Sequence, residues 1–358
     1  MTPAFLYRFG KVCCATALRF YFKTWQINNV KAIPATGPVI FIPNHQNAFL
    51  DAILIICSSP RNPWSIARAS VFKAGWVTKL LTAIQIKPVF RIRDGWGSLR
   101  SNDAIIQEWS DMLAKDQDIL IFAEGNHNEP YAAGVLQKGF ARMTMQFQQK
   151  NSTPLTIIPI GLHYDDHHAF RSRVLINFGY PILVNDLLKG SLSEREKMET
   201  LVTATDEALK KLALAIKPDE EYNAKFDFLL KHRSVEKDMM AQLEADKNTL
   251  KSYPIAGVAS SQPKKSSILW KLLNPIVWIG YTLHILPYTF IKRFIKKKVK
   301  DPQFISSLKF ALGLFLVPVY YIILLIVFYI FVPNIAAMLI FGVLLPLTGI
   351  AATDFLRK

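Results

Sequence analysis

Val39-Ile40-Phe41-Ile42-Pro43-Asn44-His45-Gln46-Asn47-Ala48-Phe49-Leu50-Asp51 decides how the rest of the chain is read. The run Val39 to Ile42 is short, apolar and β-branched, which suits a buried strand. Ala52-Ile53-Leu54-Ile55-Ile56 comes next and supplies the buried face of a helix. A histidine and an aspartate stand at this junction. Their spacing turns an ideal helix through about 240°, so they cannot share a helix face. The two meet only if His45 sits in the loop and Asp51 in the helix, with Asn47 as its N-cap. The carboxylate would then hold one ring nitrogen and stabilise imidazolium while the other takes a proton from an attacking hydroxyl. A capped turn of no catalytic use is built from the same residues, so the pair gains meaning only beside the motifs downstream of it.

Outward from this stretch, short β-branched runs alternate with helical patterns between residues 33 and 185. Strands are expected at 39–42, 64–67, 86–90, 118–123, 155–161 and 173–178, and helices at 48–58, 70–84, 99–115 and 136–149. This alternation predicts an α/β fold, a mostly parallel sheet flanked by helices. Ligands gather at strand ends in such sheets, and the polar motifs fall there.

Lys87-Pro88-Val89-Phe90-Arg91-Ile92-Arg93-Asp94 puts two arginines on one side of a strand end. They read either as a solvated end paired with Asp94 or as a phosphate clamp, because guanidinium matches phosphate oxygens bidentately. Phe122-Ala123-Glu124-Gly125 is a turn after the next strand, and Lys138 in Leu136-Gln137-Lys138-Gly139 opens a helix. Backbone N–H groups at such a start add to anion binding, although a solvated lysine is equally consistent. Leu162-His163-Tyr164-Asp165-Asp166-His167-His168 invites a metal reading, but its spacing matches no standard site, and no metal or cofactor is assigned. Neither a nucleotide-binding loop nor a serine-hydrolase elbow is present.

Taken in order, these stretches resemble the motifs of the glycerolipid acyltransferases, which make lysophosphatidic and phosphatidic acid. Most of that family carries N-H-x-x-x-x-D. The longer spacing here is similar to the H-x-N-x-x-x-D of fungal-type glycerol-3-phosphate acyltransferases. Arg91, with Arg93 as a second candidate, matches the arginine of the second motif. Glu124-Gly125 resembles F-P-E-G with Ala123 in place of proline, and Lys138 falls in an L-K-x-G-like segment. Ile158-Pro159-Ile160 looks like the strand that lines the acyl pocket. The resemblance covers residues 35–182. It implies a glycerol-phosphate acyltransferase-like fold and His45 and Asp51 as the catalytic pair. Arg91, Arg93, Glu124, Gly125 and Lys138 would bind substrate. Acyl-CoA or acyl carrier protein would donate to glycerol 3-phosphate or lysophosphatidic acid. A lysophospholipid or aminolipid acyltransferase is the alternative enzyme, and a membrane-anchored lipid-binding protein the non-enzymatic one.

Composition agrees with a lipid setting. Lys and Arg number 43 against 27 Asp and Glu, a net charge of +16, with 51% hydrophobic residues and 24 Phe. Such a chain suits anionic membrane lipids or an acidic carrier protein, and it lacks nucleic-acid-binding signatures. Three cysteines make no disulfide framework.

The expected organisation is an amphipathic interfacial helix in 1–30, an α/β acyltransferase domain at 31–190 and a helical extension at 191–251. The helix carries the stripe Phe5, Phe9, Val12, Cys13, Thr16 and Phe20, and it either lies in a membrane interface or packs on the domain. Ser193 and Glu196 form a capping box at the start of the extension. A linker at 252–267 precedes a membrane region at 268–358. Residues 310–332 and 335–352 are uncharged spans, and 269–291 is interfacial or re-entrant because basic residues flank it on both sides. Positive charge at 292–300 and at Arg357-Lys358 places both outer ends of the hairpin, and the catalytic domain, in the cytoplasm.

Overall fold

β2 (Val39–Pro43) lies inside an eight-stranded sheet whose path runs β1-β7-β6-β2-β5-β3-β4, with β8 (Ile182–Leu183) on the other part of β6. The computed structural model describes residues 3–68, 75–89, 98–125, 130–132, 134–253 and 275–357. β2 pairs in parallel with β6 (Thr156–Tyr164) on one side and β5 (Ile119–Leu120) on the other. β3 (Trp64–Arg68) and β4 (Ile86–Val89) continue the parallel set. β7 (Arg173–Phe178) turns back antiparallel to β6, and β1 (Thr24–Asn28) runs parallel to β7. The mostly parallel α/β sheet expected from the alternation is present. The edge strand β1 lies outside the strands expected from sequence.

All five residues of β2 are buried, and their alternation sorts them between two layers. Ile40 and Ile42 join a core with Trp109 of α4 (Ser98–Leu113), Phe140 and Phe147 of α5 (Gly139–Lys150) and Leu201 of α7 (Glu194–Leu212). Val39 and Phe41 face the opposite core, with Leu18 and Tyr21 of α1 (Pro3–Tyr21) and Leu50 and Leu54 of α2 (Ala48–Ser58). The sheet is therefore covered on both faces. Gly161 on β6 sets how closely α7 approaches, since a Cβ there would stand 2.2 Å from the Leu212 carbonyl oxygen.

The Ser193–Glu196 capping box forms as read, opening α7. α8 (Tyr222–His232) and α9 (Met239–Lys251) dock on the β7 side through a third core containing Leu175, Leu229 and Leu243. Polar contacts hold them there. Asp246 of α9 meets His163 of β6 at 3.0 Å and Arg233 through both carboxylate oxygens, Arg233 donates to the Asp165 carbonyl at 2.6 Å, and Arg173, paired with Asp165, donates to Gln242 of α9 at 3.0 Å.

α1 packs on the domain through Tyr7, Leu18 and Tyr21, which are buried, while Phe5, Phe9, Val12, Thr16 and Phe20 of the stripe are exposed and Cys13 is half-buried. Of the expected linker, residues 254–267 lie outside the described residues. α10 (Pro275–Lys298) covers much of the 269–291 segment and runs through the basic residues Lys292 to Lys298. α11 (Ile305–Phe331) and α12 (Ile335–Arg357) are long and apolar enough to cross a membrane by length and composition. Phe328 stacks on Phe341 between them, and Gly280 of α10 packs against Thr348 and Ala352 of α12. α11 starts before its uncharged stretch, and that first turn reaches the α/β domain at Asn47 and Leu50.

Candidate active site

β2 delivers Asn44 and His45 at its carboxyl end, and α2 returns Asp51 beneath them. His45 Nδ1 lies 3.0 Å from Asp51 Oδ2. The loop–helix placement required by the spacing is therefore met. Asp51 is fully buried and takes four hydrogen bonds. Oδ2 also accepts from the backbone N–H groups of Gln46 at 2.7 Å and Asn47 at 2.8 Å, and Oδ1 accepts from the Tyr164 hydroxyl. Burial, and then the charge of Asp51, push the Tyr164 phenol well above its ordinary range, so it remains a donor. An acceptor-only carboxylate orients the ring with Nδ1–H toward Asp51, which leaves the lone pair on Nε2. The Phe122 ring stacks on the imidazole, with centroids 3.9 Å apart and planes 28° from parallel.

Asn47 occupies the N-cap position of α2, yet its side chain makes no capping bond. The capping oxygen comes from elsewhere: Ser307 Oγ accepts from Leu50 N–H at 3.0 Å and donates to the Asn47 carbonyl at 2.5 Å. The loop is also strained. Ala48 has φ +44, a left-handed conformation that costs an L residue about 1–2 kcal/mol.

Glu124 and Gly125 sit at the carboxyl end of β5, the strand beside β2, so they leave the sheet at the same edge as His45. Gly125 has φ +71, which explains the need for glycine in this turn. Asn44 and Glu124 line one small cavity together with Leu136, Asp206 and Lys210. Asn44 itself is fixed by a reciprocal pair of bonds to the Leu162 backbone, at 3.1 and 2.6 Å. Lys138 stands exposed at the N-cap position of α5 and takes no part in the hydrogen bonds around Asp51. Arg91 and Arg93 lie outside the described residues.

The histidine-rich stretch is not a solvated loop. His163 and Tyr164 belong to β6, because that strand runs past its expected end at 161. His167 is buried, and burial together with the nearby His168, His163 and Arg233 charges holds it neutral, well below its ordinary range. Its Nε2 lies 2.7 Å from Gln46 Oε1, which fits an N–H donor there. Among the described residues no group of three or more His, Cys, Asp or Glu side chains is placed to hold a metal ion.

Gln46 and Ser307 join the site without a sequence signal that marks them as functional, and Tyr164 and His167 join it in roles other than the metal reading their stretch invited. The aromatic between His163 and Asp165 has no periodic pattern around it, and the serine lies 260 residues from its partner.

Residues 25–163 match the family model described as Acyltransferase. No curated protein gives a match. Among solved structures the chain is similar to the 1-acyl-sn-glycerophosphate (LPA) acyltransferase PlsC from Thermotoga maritima. The likeness has 17% identity and a TM-score of 0.39, and it covers 59% of this chain and 79% of that one.

Proposed function

We propose, from the match of residues 25–163 to the Acyltransferase family model, that the protein moves a fatty acyl group from an acyl thioester to a hydroxyl of glycerol 3-phosphate or lysophosphatidic acid at a membrane. The observation that carries the chemistry is the 3.0 Å contact between His45 Nδ1 and Asp51 Oδ2 inside the matched segment.

His45 Nε2 takes the proton of the acceptor hydroxyl as its oxygen attacks the thioester carbonyl carbon. The buried carboxylate stabilises the imidazolium that forms. Collapse of the tetrahedral intermediate forms the ester and breaks the C–S bond, and the imidazolium proton goes to the leaving thiolate. The acyl group passes directly between substrates. Cys57 is a poor nucleophile for an acyl-enzyme, since burial and then Cys14 push its thiol up to about 12. Acyl-CoA or acyl carrier protein is the donor, and the net charge of +16 favours approach of either anionic carrier.

Arg91, aided by Arg93, is assigned the acceptor phosphate by its motif. Glu124, turned toward the same sheet edge by Gly125, is assigned the glycerol hydroxyls. α11 and α12 span the bilayer with the domain on the cytoplasmic side, and the exposed stripe of α1 lies on the surface of anionic lipid.

The test is purified protein in detergent with labelled acyl donor, offered glycerol 3-phosphate, lysophosphatidic acid, and other lysolipids and aminolipids in parallel. Transfer to a phosphomonoester acceptor supports the proposal. Transfer only to the last group replaces the acceptor assignment, and no transfer to any acceptor removes the activity.

A further inference from the structure

The loop that presents His45 is closed by a residue from the apolar hairpin. We propose that Ser307, in the first turn of α11, is a positioning residue for the His45–Asp51 pair, so that the membrane hairpin is part of the active site as well as its anchor. The inference rests on the acyl-transfer reading of that pair.

Three features converge on the loop. Ala48 is held at φ +44, so the path from His45 into α2 is not one the chain adopts unaided. The N-cap residue Asn47 offers no side-chain bond to the helix end. The fully buried Ser307 hydroxyl reinforces the first turn, where Leu50 N–H already donates to the Asn47 carbonyl at 3.1 Å: it accepts from the same N–H at 3.0 Å and donates to the same carbonyl at 2.5 Å. Asn47 is thereby gripped on both sides, at N–H by Asp51 Oδ2 at 2.8 Å and at C=O by Ser307. Without Ser307 the carbonyl keeps only the Leu50 N–H at 3.1 Å, which loosens the amide that helps to place the carboxylate.

A second chain of contacts starts at the neighbouring serine. Ser306 Oγ donates to the His167 carbonyl, and the His167 ring meets Gln46 Oε1 at 2.7 Å. Gln46 N–H in turn donates to Asp51 Oδ2 at 2.7 Å. Lys309 Nζ also docks α11, on the His168 carbonyl at 2.6 Å, so its substitution tests docking of the helix beside the hydroxyl of Ser307.

The test compares Ser307→Ala with Lys309→Ala in the full chain, reconstituted in vesicles, with both substrates varied. Ser307→Ala is expected to lower kcat about 10-fold, with both KM values within about 2-fold of wild type, because ground-state contacts remain and alignment is lost. Lys309→Ala is expected to keep kcat within about 2-fold. A readout independent of substrate is the rate at which diethyl pyrocarbonate modifies His45, measured by peptide mass spectrometry. It should change several-fold in Ser307→Ala and stay constant in Lys309→Ala.

Unchanged kcat and unchanged His45 modification in Ser307→Ala overturn the proposal, as does an equal fall in kcat for Lys309→Ala. If Ser307→Ala does not fold, Ser307→Thr, which keeps the hydroxyl, and Ser307→Cys, which weakens the donor and acceptor, decide. Wild-type His45 modification in the first with a several-fold change in the second supports the cap, and the same rate in wild type and both variants overturns it. Loss of acyl-transfer activity in every protein, wild type included, would strike the underlying reading, while His45 modification would still report on Ser307.

Discussion

Tyr164, on β6, gives its hydroxyl to Oδ1 of Asp51, the carboxylate oxygen that His45 does not use. The phenol and the imidazole thus hold opposite sides of one buried acid. Tyr164→Phe keeps the ring and removes the donor, leaving a buried carboxylate oxygen without its partner. That omission costs about 1–3 kcal/mol. A lower melting temperature together with a kcat reduced about 10-fold is the expected outcome in thermal and steady-state assays. Wild-type values on both axes would show the contact to be idle.

His45→Ala is expected to reduce turnover at least about 100-fold in protein that remains folded and inserted. Asp51→Asn should be worse than a simple tautomer error. Its one carbonyl oxygen has to serve the Gln46 and Asn47 amides, which forces its NH2 toward the Tyr164 oxygen. Circular dichroism and labelled-donor assays on both variants check this. Full activity in folded His45→Ala protein would end the general-base assignment.

Acid should destabilise the protein through its buried histidines. Burial lowers His163 and His167 below the ordinary value of 6.5, so the unfolded chain binds protons that the native state does not. Stability is then complete above 6.5 and falls as pH drops below it. Asp246 acts in the same sense. Burial raises its carboxyl, but the His163 and Arg233 hydrogen bonds outweigh that and hold it below the usual range, so its contribution is lost at still lower pH. Melting temperatures measured from pH 7.5 down to about 4.5 should fall monotonically. A flat profile in this range contradicts the neutral buried histidines.

Topology can be probed with single cysteines after replacement of Cys13, Cys14 and Cys57. A cysteine at Asn334, in the exposed turn between α11 and α12, should react with an impermeant thiol reagent added from outside intact cells. One at Lys300, exposed just after α10, should react only after permeabilisation. Ser306 is unsuitable for the inner position because it is buried against His167. The opposite labelling pattern would separate the domain from cytoplasmic thioesters.

The range of each interaction decides how far the sequence alone reveals it. β2, the loop–helix placement of His45 and Asp51, and the Ser193–Glu196 capping box are legible because each is written within a few residues. β1 is not. Thr24-Trp25-Gln26-Ile27-Asn28 alternates polar and apolar residues, but over only five positions directly after α1, and what fixes it as a strand is pairing with β7, as in Asn28 on Asn177 across 149 residues. Tyr164 and Ser307 lie 113 and 260 residues from the groups they bind, so no local pattern announces them. In sequence Arg171 and Arg173 are only a basic pair after the histidines. They serve structure, the first bound bidentately to Asp354 and the second to Asp165 and Gln242.

Synthesis runs from the first residue to the last, and the Arg171–Asp354 and Asn47–Ser307 contacts tie early segments to late ones. A ribosome that has finished the sheet has not yet made the serine that caps α2, nor the aspartate that receives Arg171 183 residues on. The nascent domain therefore waits for the last contacts of its loop until α11 has emerged. On the membrane-spanning reading proposed above, completion of the His45 loop is scheduled by insertion of the hairpin, and a polypeptide that misses the bilayer is left without the Ser307 contact.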